Sequence, residues 1–140
     1  MYKIILAVLA AAVMAGCSGN KSGAWTELSG EWNVVEIDGT RIVADSLQNR
    51  AYIGFSPADS SIFGCAGCNR LVGRMGLGED PTVADFTAIG TTMMMCPDMS
   101  VEEMFLPALR EVKGYVSTDE NRIELRDASG NVRMVLEKAM

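Results

Sequence analysis

The sequence predicts a mainly β domain of α+β type, a small antiparallel barrel or sandwich with one covering helix. Short apolar runs recur every 8 to 12 residues between turn signals from residue 25 onward. One stretch alone, opening at Ser100, repeats its apolar residues at helical spacing. A length of 140 residues, 49% apolar and 21% charged, fits one globular domain.

The elements follow in chain order. Glu31 to Ile37 alternates as a strand, with Trp32, Val34 and Glu36 on one side and Val35 and Ile37 on the other. Asp38-Gly39 supplies the turn after it. Ala51 to Phe55 and Ser61 to Cys65 are strands separated by the turn signal Ser-Pro-Ala-Asp. Leu71 to Leu77 is a glycine-broken strand closed by Gly78-Glu79-Asp80-Pro81, and Val83 to Phe86 and Ala88 to Met95 follow. Arg122 to Arg126 and Val132 to Glu137 form a hairpin. Ile123 and Leu125 face one way there, and Val132, Met134 and Leu136 share a face.

For the helix, Ser100 and Glu103 have the spacing of a capping box, each side chain serving the other's amide. Met104, Phe105, Ala108, Leu109 and Val112 form the expected buried face, and Gly114 the stop. Pro107 conflicts with this. It has no amide for the Glu103 carbonyl, and mid-helix it costs roughly 3 kcal/mol, so a kink or a shortened first turn is expected.

The first residues read as a processing segment. Lys3 precedes an apolar run from Ile4 to Ala15, 12 residues, too short to span a bilayer but suited to a secretory signal. Met14-Ala15-Gly16-Cys17 resembles a bacterial lipobox. The resemblance implies cleavage before Cys17, so residues 1–16 are the signal peptide, and a diacylglycerol on the Cys17 sulfur. Two or three acyl chains anchor stably where one does not. An ordinary signal peptide with a free Cys17 is the alternative. Ser18 after the cysteine favours the outer membrane by the same resemblance, with the domain facing the periplasm. Residues 17–25 form a Gly/Ser tether, and 26–140 the domain.

Several chemistries are excluded. The chain has no histidine, which removes Ser-His-Asp and Cys-His catalysis and imidazole metal sites. A net charge of -6 without a basic face argues against nucleic acid. Glu102 with Glu103, or Glu79 with Asp80, could be acid/base pairs, but the sequence reveals no pocket that either pair faces. Asn69 is read as a turn residue and Arg70 as solvated.

In order along the chain stand Leu28-x-Gly30-x-Trp32, Ile37-Asp38-Gly39, Gly67-Cys68-Asn69 with Gly73, Thr92-x-Met94-x-Cys96, Glu102-x-x-Phe105-x-x-x-Leu109, Val112, Tyr115, and Ile123-x-Leu125-x-Asp127 with Gly130. This order resembles the META domain, also called the HslJ-like family, from about Leu28 to Leu136. The resemblance implies a curved antiparallel sheet closing into a partial barrel with one packed helix. Many such proteins are envelope lipoproteins, some linked to heat shock or antibiotic tolerance, and no enzymatic activity is established for the family as a class. Cys65 and Pro107 depart from the pattern.

The resemblance also pairs Cys68 with Cys96. Loop entropy ranks that pairing first, at about 3.6 kcal/mol against about 1.9 for Cys65 with Cys68. If residues 65 to 68 are extended, their Cα atoms lie roughly 10 Å apart and face opposite sides, beyond the reach of about 7 Å for a disulfide. Only a tight turn at Ala66-Gly67 rescues the short pair. Cys65 is then a free thiol, read as a small buried hydrophobe. Met93, Met94, Met95, Met99 and Met104 are soft donors near Cys96, but they are read as core packing.

The expected function is therefore a non-enzymatic, lipid-anchored envelope protein in stress tolerance or envelope maintenance. It would bind a protein, peptide or small apolar ligand and carry no cofactor or metal. The alternative is copper(I) handling or thiol redox chemistry through Cys65, Cys68, Cys96 and nearby methionines.

Overall fold

The computed structural model describes residues 27–43, 50–77 and 84–139. The expected signal peptide, lipobox and tether, and the turn at Gly78-Pro81, lie outside them. Strands β1 (Gly30–Ile37), β2 (Thr40–Arg41), β3 (Tyr52–Ser56), β4 (Ser61–Cys65) and β5 (Arg70–Arg74) are followed by β6 (Gly76–Leu77), β7 (Ala84–Asp85) and β8 (Ile89–Thr91). Helix α1 (Ser100–Glu111) then leads into β9 (Val112–Asp119), β10 (Arg122–Asp127) and β11 (Val132–Lys138).

Nine strands make one antiparallel sheet in the order β8-β5-β4-β3-β1-β11-β10-β9, with β2 beside β1 and β6-β7 a separate ribbon. The fold is thus mainly β with one helix, as the sequence predicts. No strand pairing joins β8 to β9 among the described residues, so the hydrogen-bonded sheet is open, without the expected closure. The β7 strand lies beside β9, where Lys113 meets Asp85 at 3.3 Å.

One core fills one face of the sheet, built on Trp32, Ile53, Phe55, Phe105, Leu125 and Met134, with α1 packed against β1 and β11. The β1 strand departs from simple alternation. A bulge between Val34 and Glu36 shifts its phase by one residue, so Ile37 joins Trp32 and Val34 in the core and Glu36 does not. A register shift at Leu125/Arg126 similarly leaves Val132 exposed while Met134 and Leu136 are buried.

The helix corrects two expectations, the capping box and the stop at Gly114. Its N-cap is Met99, and no capping box forms. The Ser100 amide and hydroxyl both donate to Asp98 Oδ1 at 2.9 and 2.6 Å, and the Glu103 amide bonds the Met99 carbonyl. Helix α1 also runs through Pro107 to Glu111 with a complete first turn. The carbonyl that loses its partner belongs to Glu103, an exposed residue. Finally, the helix stops at Glu111. Val112 turns extended and opens β9, so Gly114 is a strand residue.

Gly73 is required by close approach. A Cβ there would lie 2.3 Å from the Ala88 carbonyl oxygen, where β5 runs against the segment entering β8. Gly73→Ala should lower stability by about 1–3 kcal/mol in urea unfolding, because the obstacle is backbone and cannot rotate away. An unchanged midpoint would mean that the β5-β8 edge yields freely.

Four aspartates close turns. The Ser61 hydroxyl on Asp59, the Thr87 hydroxyl on Asp85, the Ser100 hydroxyl on Asp98 and the Asn131 amide on Asp127 hold each carboxyl below its ordinary 3.8. Their stabilisation is therefore present above that value and lost as pH falls through the lower folded values. Urea midpoints should hold between about pH 7 and 5 and drop by about pH 3. A midpoint unmoved at the lower pH would rule these carboxylates out as contributors.

Candidate functional site

The β4-β5 connection occupies residues 66–69, closed by the Ala66 amide on the Asn69 carbonyl at 2.9 Å. Gly67 sits at φ +110, a left-handed conformation that side chains resist. This is the tight turn at Ala66-Gly67 that the sequence reading gives as the alternative to an extended 65–68, and it changes the cysteine geometry. Cys65 ends β4 opposite Arg70 and stands opposite Tyr52 on the other side. Residues opposite one another across a sheet share a face, so Tyr52, Cys65 and Arg70 form one row on the face away from the core. The row continues to Thr92, whose amide bonds the Arg70 carbonyl at 3.1 Å.

Beyond β8 the chain is held by Asn69, which is 4% exposed. Its Oδ1 accepts from the Thr92 hydroxyl at 2.9 Å and the Met94 amide at 2.6 Å. Its Nδ2 donates to the Met94 carbonyl at 3.0 Å and to Glu102 Oε2 at 2.6 Å. The Asn69 amide donates to Glu102 Oε1 at 2.6 Å. One side-chain amide thus replaces a strand partner for Met94, and a buried carboxylate from α1 receives two donors. Asn69 does more than the turn role expected of it. Glu102 is neither an acid/base partner of Glu103 nor solvated. The available signal was its position three residues before Phe105 and seven before Leu109, on the apolar stripe of the helix. A carboxylate on such a stripe requires a partner.

A disulfide joins Cys68 to Cys96 with Cα atoms 6.0 Å apart, the pairing that the resemblance implies. Cys65 is a free, buried thiol. It is buried as expected, lies outside the main core cluster and lines a pocket that Cys68 also lines. The methionines differ from expectation more sharply. Met93, Met94 and Met95 are 96%, 57% and 87% exposed, so the core-packing reading fails for them. The cause is the short β8. Strand pairing ends at Thr91, and Asn69 fixes only the backbone of Met94, leaving the side chains outward. Met99 accepts the Cys96 amide on its sulfur, and Met104 packs against the core.

The pocket encloses about 360 Å³. Tyr52, Cys65, Cys68, Thr92 and Met94 line it, and Arg50 and Arg70 supply its charge. Among the described residues, no cluster of three or more His, Cys, Asp or Glu is placed to hold a metal. Cys17 lies outside those residues.

Comparison with known proteins places this arrangement. The family model described as the META domain matches residues 26–140. No curated protein matches the chain. Among solved structures, it is similar to a protein from Burkholderia xenovorans determined by NMR, at 21% identity and a TM-score of 0.62, covering 85% of this chain and 88% of that one. It is also similar to a second NMR structure, at 20% identity and a TM-score of 0.60, covering 81% of this chain and 92% of that one. A crystal structure of a DUF4847 family protein from Bacteroides vulgatus resembles it at 17% identity and a TM-score of 0.55, covering 80% and 94% of the two chains. Identities this low carry the fold alone.

Proposed function

This chain belongs to the META-domain family, and from that premise we propose that it is a non-enzymatic envelope lipoprotein whose domain is a binding module. Its role is in stress tolerance or envelope maintenance, with a protein, peptide or small apolar ligand as partner. The observation that supports binding is the pocket of about 360 Å³ on the sheet face away from the core, within the range of about 300–1,000 Å³ common for ligand sites. The membrane part rests on the signal-like residues 1–16 and the lipobox ending at Cys17. Two experiments test it. Cys17→Ala should release the protein from outer membranes, and continued membrane association of that variant would count against lipidation. Crosslinking in host envelopes should recover a partner joined through the pocket residues; capture only through other surfaces would move binding elsewhere.

A thiol-exchange reading has one specific observation in its favour, the shared pocket of Cys65 and Cys68. The Cys65 thiolate would attack Cys68 Sγ, break its bond to Cys96, and release Cys96 as a thiolate. No net oxidation occurs. Disulfide mapping of the native protein decides it: a substantial Cys65-Cys68 peptide supports exchange, and Cys68-Cys96 alone excludes it.

A further inference from the structure

We infer that the pocket lined by Tyr52, Cys65 and Arg70 recognises a small carboxylate carrying an apolar body, with Arg70 as the carboxylate-binding residue. The inference rests on the binding-module reading and specifies its ligand class.

The charge distribution carries the first step. The chain has 18 acidic residues against 12 basic ones, yet among the described residues this pocket is lined by two arginines and no acid. The two arginines differ. Arg50 lies over the Tyr52 ring at 4.3 Å and reaches Glu31 at 3.3 Å. Among the described residues nothing engages the Arg70 guanidinium by hydrogen bond or ion pair; only its backbone is bonded, to Thr92. Such a guanidinium presents a planar fork of donors that matches a carboxylate in two parallel hydrogen bonds.

The Thr92 hydroxyl of the pocket is already used. It donates to Asn69 Oδ1 and accepts from the Arg70 amide. Among the described lining residues, an incoming ligand therefore meets charged donors only on arginine. What remains is apolar or soft: the Tyr52 ring, the Met94 thioether and the Cys68 sulfur. Aromatic and thioether walls favour an apolar or aromatic body beside the anion. A volume of about 360 Å³ admits a ligand the size of one or two amino-acid residues. The carboxylate can belong to a free acid or to a peptide C-terminus.

The test uses the purified full chain in neutral detergent, titrated by calorimetry with N-acetylphenylalanine, with its uncharged amide, and with a tetrapeptide ending in a phenylalanine carboxylate. The acid should bind saturably and the amide about tenfold or more weaker. Arg70→Met should weaken the acid about tenfold and leave the amide unchanged, with an unaltered urea midpoint because Arg70 is exposed on β5. Tighter binding of the tetrapeptide would assign the carboxylate to a chain terminus, and exclusion of it to a free acid. Equal binding of acid and amide, or an Arg70→Met variant that binds the acid normally, overturns carboxylate recognition but leaves the binding module standing. Absence of saturable binding by all three probes removes both at this pocket.

Discussion

Replacing Asn69 with alanine should destabilise the domain by about 3–5 kcal/mol, the range for breaking a buried hydrogen-bonded charge. The substitution removes both side-chain donors and both acceptor bonds to residues 92–94 at once. It leaves the Met94 amide without its acceptor. Glu102 keeps only the Asn69 backbone amide, and at 6% exposure it has little water to replace the lost donor. Asn69→Asp keeps the size but exchanges a donor for a second carboxyl facing Glu102, so it should be at least as damaging. Glu102→Gln retains one acceptor and should cost less, about 1–3 kcal/mol. Urea unfolding of the oxidised protein measures all three. A loss below about 1 kcal/mol for Asn69→Ala would show that the network is dispensable.

Removing the disulfide as the Cys68→Ser, Cys96→Ser pair should cost about 3.6 kcal/mol on the chain-entropy estimate. The double replacement avoids leaving a new thiol beside Cys65. Disulfide and amide network tie the same two segments, the 66–69 turn and residues 92–96, so the losses should not add. With one tie intact the segment stays docked; with both gone it detaches, and the combined loss should exceed the sum of the separate ones. That sum already approaches the whole stability of about 5–15 kcal/mol typical of a small domain, so the triple variant should be largely unfolded at room temperature. Strictly additive losses would mean that the ties act independently.

The sequence made the architecture legible where local rules decide it. Alternation found β1, β3, β4 and the β10-β11 hairpin, and Asp38-Gly39 marked a turn that leads directly into β2. It failed where a long-range partner sets the outcome. The bulge in β1 depends on pairing with β11, so Glu36 was assigned to the wrong side. At the helix, Ser100 and Glu103 had the spacing of a cap, but Asp98 competed for the Ser100 hydroxyl and won. The β9 strand was overlooked because Val112 continued the helical apolar pattern and Gly114 read as a stop. Within the site, the Cys65-Cys68 geometry turned on one glycine at positive φ, and the exposure of Met93 and Met95 on an asparagine more than twenty residues earlier in the chain. Neither dependence is periodic, so periodicity could not find it.

The position of β1 has a mechanical consequence. It lies inside the sheet, with β3 on one side and β11 on the other. Its first residue, Gly30, stands opposite Phe55, whereas the pocket begins at Tyr52, three residues away and about 10 Å along the strands. Tension between the chain upstream of Leu28 and a partner held at the pocket therefore runs along the strands, not across them. The β1-β3 bonds are loaded in shear and must fail together. Force spectroscopy pulling between those two points should give a higher rupture force than peeling β9 from β10 at the sheet edge, and equal forces would refute it. A protein tethered at one end and gripped at the other would meet load in its strong direction.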